Sequence, residues 1–259
     1  MHINKKESRL YSEKLNIQGC LMKIVAYEST KNIIVEFQDK YRTRVSSQWQ
    51  YFEKGNIINP YHPSVFGVGI VGNKYERNRK GRHTKEYNTW IHMLERCYDK
   101  KYKQKESTYK DVTCCDEWLL YENFYEWLHS QENFDKWFKN SGWHLDKDIL
   151  AKGNKIYSPE ICCLVPPRVN CLFVKNNARR GNLPIGVSYH SSSGAYNASL
   201  NYNSKVKSTY FKTKNEAFIY YKIEKEKIIK QIAQEEFDKG NITKECYEAM
   251  IRYEVEITD

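Results

Sequence analysis

Two adjacent prolines, Pro166 and Pro167, stand directly behind the apolar run at 161–165, and this junction constrains the fold more than any other stretch of the chain. Proline breaks the hydrogen-bond ladder of a strand but is tolerated in the first turn of a helix, so a strand must end here and a helix can begin. Upstream, residues 144–149 alternate weakly and can form another strand, while Gly153, Ser158 and Pro159 mark a long turn. The spacing predicts strand, turn, strand and short helix over 143–173, with Asn170 near the helix start. Folded back on itself, that order brings Asp146 and Asn170 together. A carboxylate facing an amide oxygen suits one hard cation, Mg²⁺ or Mn²⁺, with phosphate oxygens and waters completing the shell.

Other patterns flank this segment. Residues 21–53 hold the runs LMKIVAYE, NIIVEF and YRTRVSSQW between polar turns, which predicts a small antiparallel β unit. The stretch NPYHPSVFGVGIVGN, with two prolines and three glycines, reads as a linker or an irregular lead into the next domain. Trp90, Met93, Leu94 and Cys97 recur at helical spacing and predict an amphipathic helix over about 87–98. Trp118, Leu119, Phe124, Trp127 and Leu128 predict a second over about 116–129, capped by Asp116. Tryptophans at this spacing fill a core more readily than they offer a base-stacking platform. Past Gly181, three short strands at about 185–190, 195–202 and 205–212 lead to a helix opened by the capping-box pair Thr213 and Glu216. A last helix is expected over about 244–256.

The fold class is therefore α+β and multidomain: a β-rich module over 1–64, a strand–strand–helix domain with further helices over 65–180, and a three-stranded sheet plus helix over 181–259. If the last module is independent, a chain ended at about residue 181 keeps its central core folded.

Lys and Arg outnumber Asp and Glu by 42 to 32, a formal charge of +10, which favours a polyphosphate partner. Placement says more than the total. Lys74, Arg77, Arg79, Lys80, Arg82 and Lys85 crowd into 73–85 against the single Glu76, while 215–259 is net acidic. With Arg168, Lys175, Arg179 and Arg180 they form the set expected to contact the backbone of double-stranded DNA. His83 and His92 read as surface or contact residues. The eight cysteines lack CxxC spacing, and two pairs are adjacent in sequence, so core thiols in a reducing compartment are expected. A structural Zn²⁺ gathered from Cys114, Cys115, His144, Cys162 and Cys163 is the alternative. No apolar run approaches the roughly 20 residues that span a bilayer, so no membrane association is expected.

With these residues in view, 143–173 resembles the ββα-metal, or HNH, nucleases. LDKD supplies Asp146 as the matching ligand of the first strand, YSPE leads into the second strand, and Asn170 in PPRVN matches the helix ligand. Lys147 stands where that family has its water-activating His, Ile161 where it usually has a middle Asn, and the zinc-knuckle CxxC pairs are missing. The resemblance implies one Mg²⁺ or Mn²⁺ at Asp146 and Asn170, and hydrolysis of a DNA phosphodiester. Lys147, charged and a poor base, would clamp the phosphate; His144, Tyr109, Tyr157 or a metal-ordered water would take the proton. A degenerate core that binds DNA without cutting it is the other reading.

Residues 183–235 resemble the AP2 DNA-binding domain through IGVSYHSSSGAYNASL and YFKTKNEAFIYYKIEK. That family lays a three-stranded sheet in the major groove, which implies contacts from Tyr189, His190, Tyr196, Asn201, Lys205, Lys207 and Thr209. Tyr196, Asn201, Lys205 and Lys207 would then lie on the exposed face, with Phe218, Tyr221 and Ile228 packed underneath. Together the two segments resemble phage-encoded or mobile-element endonucleases, implying a bacterial host cytoplasm.

Overall fold

The computed structural model describes residues 8–174, 181–202, 205–257 and 259, with Lys205 described by its backbone alone. It is a mixed α+β, multidomain architecture with sheets near both ends, and it divides into two compact units, Met1–Glu126 and Trp127–Asp259. This division differs from boundaries at 64/65 and 180/181, and the packing inside each unit gives the reason.

In the first unit, β1 (Glu13–Leu15), β2 (Leu21–Ser29), β3 (Asn32–Phe37) and β4 (Arg44–Ser47) form an antiparallel meander. Alternation in NIIVEF turns Ile33, Val35 and Phe37 inward and Asn32 and Ile34 outward. Helix α1 (Trp49–Lys54) adds Phe52 to a core completed by Met22, Ile24, Tyr27 and Ile57. The segment expected to be a linker or an irregular lead into the next domain is fastened down. Glu122, 8% exposed, accepts hydrogen bonds from the backbone N–H of Asn73 and of Lys74, each at 2.8 Å, and from the Tyr61 hydroxyl at 3.1 Å. Gly72 is required there, because at φ +74° a Cβ would meet the Glu122 carboxylate at 2.3 Å.

Two short strands, β5 (Asn78–Arg79) and β6 (Arg82–His83), then form a hairpin that leads into α2 (Lys85–Tyr98). Thr84 caps this helix by accepting from Tyr87 N–H, and Trp90, Met93, Leu94 and Cys97 are buried along it, as their spacing predicts. After α3 (Lys100–Lys105) and β7 (Thr113–Cys114), the helix expected over 116–129 is split into a 3₁₀ turn, Asp116–Leu119, and α4 (Tyr121–Ser130). Leu120 is drawn into an extended conformation at φ −91°, ψ 118°. The cause lies far away in sequence: Ile70 N–H donates to the Leu119 carbonyl at 2.7 Å, and Tyr121 N–H donates to the Ile70 carbonyl at 2.9 Å.

The second unit continues through α5 (Phe134–Lys139), β8 (His144–Asp146), β9 (Ile156–Tyr157), β10 (Cys163–Val165) and α6 (Pro167–Phe173). Strand β8 pairs antiparallel with β10, and α6, with proline in its first turn, packs on β8. An antiparallel sheet of β11 (Val187–His190), β12 (Ala195–Tyr202) and β13 (Lys205–Phe211) follows, covered by α7 (Lys214–Asp238). The capping box of Thr213 and Glu216 forms as expected. The last helix, α8 (Lys244–Ile251), stops short of residue 256 because the chain beyond it is bound to α7: Val255 N–H donates to Glu226 at 2.8 Å, and Lys222 Nζ donates to the Val255 carbonyl at 2.9 Å.

One large core cluster joins the two ends of this unit. Cys163, Val165 and Val169 of the strand–strand–helix segment are buried in one cluster with Ala198 and Leu200 of the sheet, Tyr221 and Ile229 of α7, and Met250 of α8. Most of the cluster comes from beyond residue 181, so the segments on either side of 181 bury each other. Among the described residues no helix is long and apolar enough to cross a membrane.

Candidate metal site and nucleic-acid interface

Asp146 ends β8 opposite Cys163, and its Oδ1 accepts from the backbone N–H groups of Asp148 and Ile149, both at 2.8 Å. Such a turn fixes the carboxylate's orientation from its own chain. Burial pushes this carboxyl above its ordinary pKa, opposed by those two hydrogen bonds. Asn170 lies in α6, its N–H donating to the Pro166 carbonyl at 3.1 Å. Neither Asp146 Oδ2 nor the Asn170 side-chain amide has a hydrogen-bond partner among the described residues. The two thus stand on adjoining elements of one strand–strand–helix unit, each with an uncommitted oxygen.

That donor set fits a hard, largely hydrated divalent cation, since Mg²⁺ keeps several waters and takes only one or two protein oxygens. It does not extend further. Among the described residues no three His, Cys, Asp or Glu side chains gather to hold a metal. The Cys163 thiol is pushed above its ordinary pKa by its hydrogen bond with Cys246 and by burial.

Lys147 is 6% exposed, and its ammonium donates to Asp148 Oδ2 at 2.7 Å and to the Asn154 carbonyl at 3.0 Å. Asn154 returns the bond, donating to the Lys147 carbonyl at 2.9 Å and accepting from Ile156 N–H at 3.0 Å. The expected phosphate clamp is thus already engaged in closing the long turn. Asn154 escaped the sequence reading, although an amide two residues before a strand is a recognisable turn signal. Tyr157 is 2% exposed, with Lys147 Nζ 5.9 Å from its ring centre. Tyr109 belongs to the first unit, where Arg96 lies 5.7 Å over its ring. His144 is exposed and shares its side of β8 with Asp146, the buried Leu145 standing between them.

The basic residues separate into committed and uncommitted groups. Lys74 is paired with Glu126, Arg79 with Glu76 at 3.1 Å, and Arg77 bonds the Tyr87 hydroxyl. Burial lowers the Lys85 pKa against the opposing charge of Glu86. Lys80 and Arg82 are exposed and have no partner among the described residues. Arg168 is engaged within its own unit: its guanidinium holds Glu235 at 2.6 Å, Glu236 at 3.1 Å and the Tyr202 hydroxyl at 3.2 Å, joining α6 to α7 and β12. Lys175, Arg179 and Arg180 lie outside the described residues.

The sheet presents a different face from the one expected. Ala198 and Leu200 are buried toward α7, and the register pairs them with Thr209 and Lys207. Alternation therefore puts Lys207, Thr209, Tyr196 and Tyr189 on the helix side, where Lys207 Nζ pairs with Glu224 at 2.7 Å. Phe218, Tyr221 and Ile228 do pack into the core beneath. Lys205 pairs by its backbone with Tyr202, and its side chain is outside the description. The outer face carries His190 and Asn201, as expected, together with Ser188, Asn197, Ser199, Ser208 and Tyr210, which sequence reasoning missed. Ser208 donates to Asn197 at 2.6 Å, and the His190 ring meets Tyr210 edge-on at 5.7 Å. This surface is rich in amides and hydroxyls and low in charge.

Searches for similarity return nothing: no family model, curated protein or solved structure matches the chain.

Proposed function

We propose that the protein is a metal-dependent endonuclease of double-stranded DNA, the reading implied by its resemblance to HNH nucleases and AP2 domains. The observation that carries this is the pairing of β8 with β10 and the packing of α6 on β8, with Asp146 Oδ2 and the Asn170 amide lacking hydrogen-bond partners among the described residues. These two residues would hold one Mg²⁺ or Mn²⁺. When bound, such a cation supplies charge stabilisation for phosphoryl oxygens. The outer sheet face would meet base edges, because asparagine amides and hydroxyls match their donors and acceptors.

His144 is the base this geometry favours. It is exposed on the same side of β8 as Asp146, whereas Tyr157 and Lys147 are buried. Its imidazole nitrogen would take the proton from the attacking water while Asp146 keeps its orientation through Asp148 and Ile149 N–H. The same resemblance supports a phage-encoded protein acting in a bacterial cytoplasm.

The test is nicking of supercoiled DNA with Mg²⁺, Mn²⁺ or EDTA. Asp146→Ala and Asn170→Ala should abolish cutting, and His144→Ala should slow it about 100-fold or more. DNA affinity should change little, because phosphate contacts elsewhere dominate binding. Cutting that is indifferent to Asp146 and Asn170 overturns the site. A second reading, a DNA-binding protein with an inert core, is favoured by Lys147, which stands at the base position and is spent on Asp148 and Asn154. Binding without cutting under every metal would establish it.

A further inference from the structure

The hairpin of β5 and β6 is an unusual use of chain. None of its six residues, NRKGRH, is apolar, and every residue over 76–83 is exposed. A two-stranded hairpin of this kind has no stability of its own in water. Its turn places both central residues at positive φ, Lys80 at 51° and Gly81 at 75°, and a lysine adopts that conformation only at a cost.

Its base, however, is braced. Thr84 N–H donates to the Arg77 carbonyl at 2.9 Å, Arg77 bonds the Tyr87 hydroxyl, and the His83 ring meets Tyr87 edge-on at 5.0 Å. Glu76, the single acid within 73–85, is taken by Arg79. The cations beyond the brace, Lys80 and Arg82, have no partner among the described residues. Beside them a polar recess is lined by Asn78, Gly81, Arg82 and His83 of the hairpin and by Asn88 of α2.

We propose that this hairpin is a ribbon that enters the major groove of double-stranded DNA, with Lys80 and Arg82 on phosphates and the Asn78, His83 and Asn88 recess toward base edges. The inference rests on the DNA-binding part of the function proposed above and adds a second contact element in the first unit. Two strands about 4.8 Å apart with their side chains match a major groove about 12 Å wide, not a minor groove of about 6 Å. Bracing at the base with no packing at the tip is what insertion requires.

The experiment uses the full chain and duplexes chosen by it from a random pool. In the double variant Lys80→Asn, Arg82→Gln, asparagine keeps the left-handed turn while both charges go. Affinity should fall about tenfold or more at moderate salt, and the slope of log affinity against log salt should drop by about two. Guanine-N7 methylation should interfere with the parent at positions where it no longer affects the variant. An unchanged affinity, slope and interference pattern in a parent that binds DNA overturns the hairpin role and leaves the DNA-binding reading standing. Loss of affinity with competition only by a minor-groove ligand overturns the groove assignment. A parent that binds no duplex overturns both.

Discussion

The N-terminal sheet wraps four strands and a short helix around residues that belong to that segment alone, Met22 through Ile57. The C-terminal sheet buries Ala198 and Leu200 in a cluster that also contains Cys163, Val165 and Val169, from before the sheet begins. Both look like modules in sequence, each with its strands, turns and closing helix. What separates them is where the inward face finds partners. A segment is an independent unit only when its apolar face is satisfied from within.

The hardest blow to this comparison is truncation. A chain ended at about residue 181 leaves Val165 and Val169 without most of their cluster, so calorimetry should show the second unit's cooperative transition lost altogether, not a molecule with weakened selectivity and an intact core. Deleting residues 1–57 should leave that transition in place. A truncated chain that still melts cooperatively would return residue 181 to the status of a domain boundary.

A smaller contrast uses two glycines at positive φ. At Gly186 a Cβ would stand 2.0 Å from the Tyr221 ring, whereas at Gly19 it would meet nothing within 4 Å. Urea titration should find Gly186→Ala destabilising by about 4 kcal/mol, strain and clash together, against about 1 kcal/mol for Gly19→Ala. Equal costs would mean that Tyr221 is not fixed beneath the sheet.

The smallest effect concerns charge. Burial would raise the Glu236 pKa, but hydrogen bonds from Asn241, Lys239 and Arg168 outweigh it and the value is lowered. A lowered folded pKa means stability that is present above the unfolded carboxylate pKa and is lost as pH falls through the folded one. Arg168→Ala should therefore cost about 1–2 kcal/mol near neutrality and flatten the second unit's loss of stability on the acid side. In the first sheet, Glu36 is lowered chiefly by its hydrogen bond with Arg44, with burial opposing, yet the Arg44 side chain of this pair is exposed. Arg44→Ala should leave the first unit's melting unchanged, as exposed pairs generally do.

Elements whose signals are local were legible in sequence. The Thr213 and Glu216 capping box, the buried stripe of Trp90, Met93, Leu94 and Cys97, and the proline-led helix carrying Asn170 all depend on neighbours within a turn or two. The split at Leu120 did not show, because it is imposed by Ile70 across fifty residues of chain. The reading face of the C-terminal sheet was misplaced for a related reason. Alternation fixes two faces but does not say which is inward until Ala198 and Leu200 meet α7, and Lys207 follows them. At the candidate site, the order of the two strands and the helix that carry Asp146 and Asn170 could be read from the sequence. The engagement of Lys147 by Asn154 needed the turn's path.

The continuity of the core across residue 181 also bears on inheritance. A recombination breakpoint there would deliver half a core to each product, so the strand–strand–helix segment and the sheet must descend together, and substitutions in one must be compensated in the other. Variation in Ala198, Leu200 or Tyr221 should track variation in Val165 and Val169 more closely than anything in the N-terminal sheet, whose core is free to drift alone.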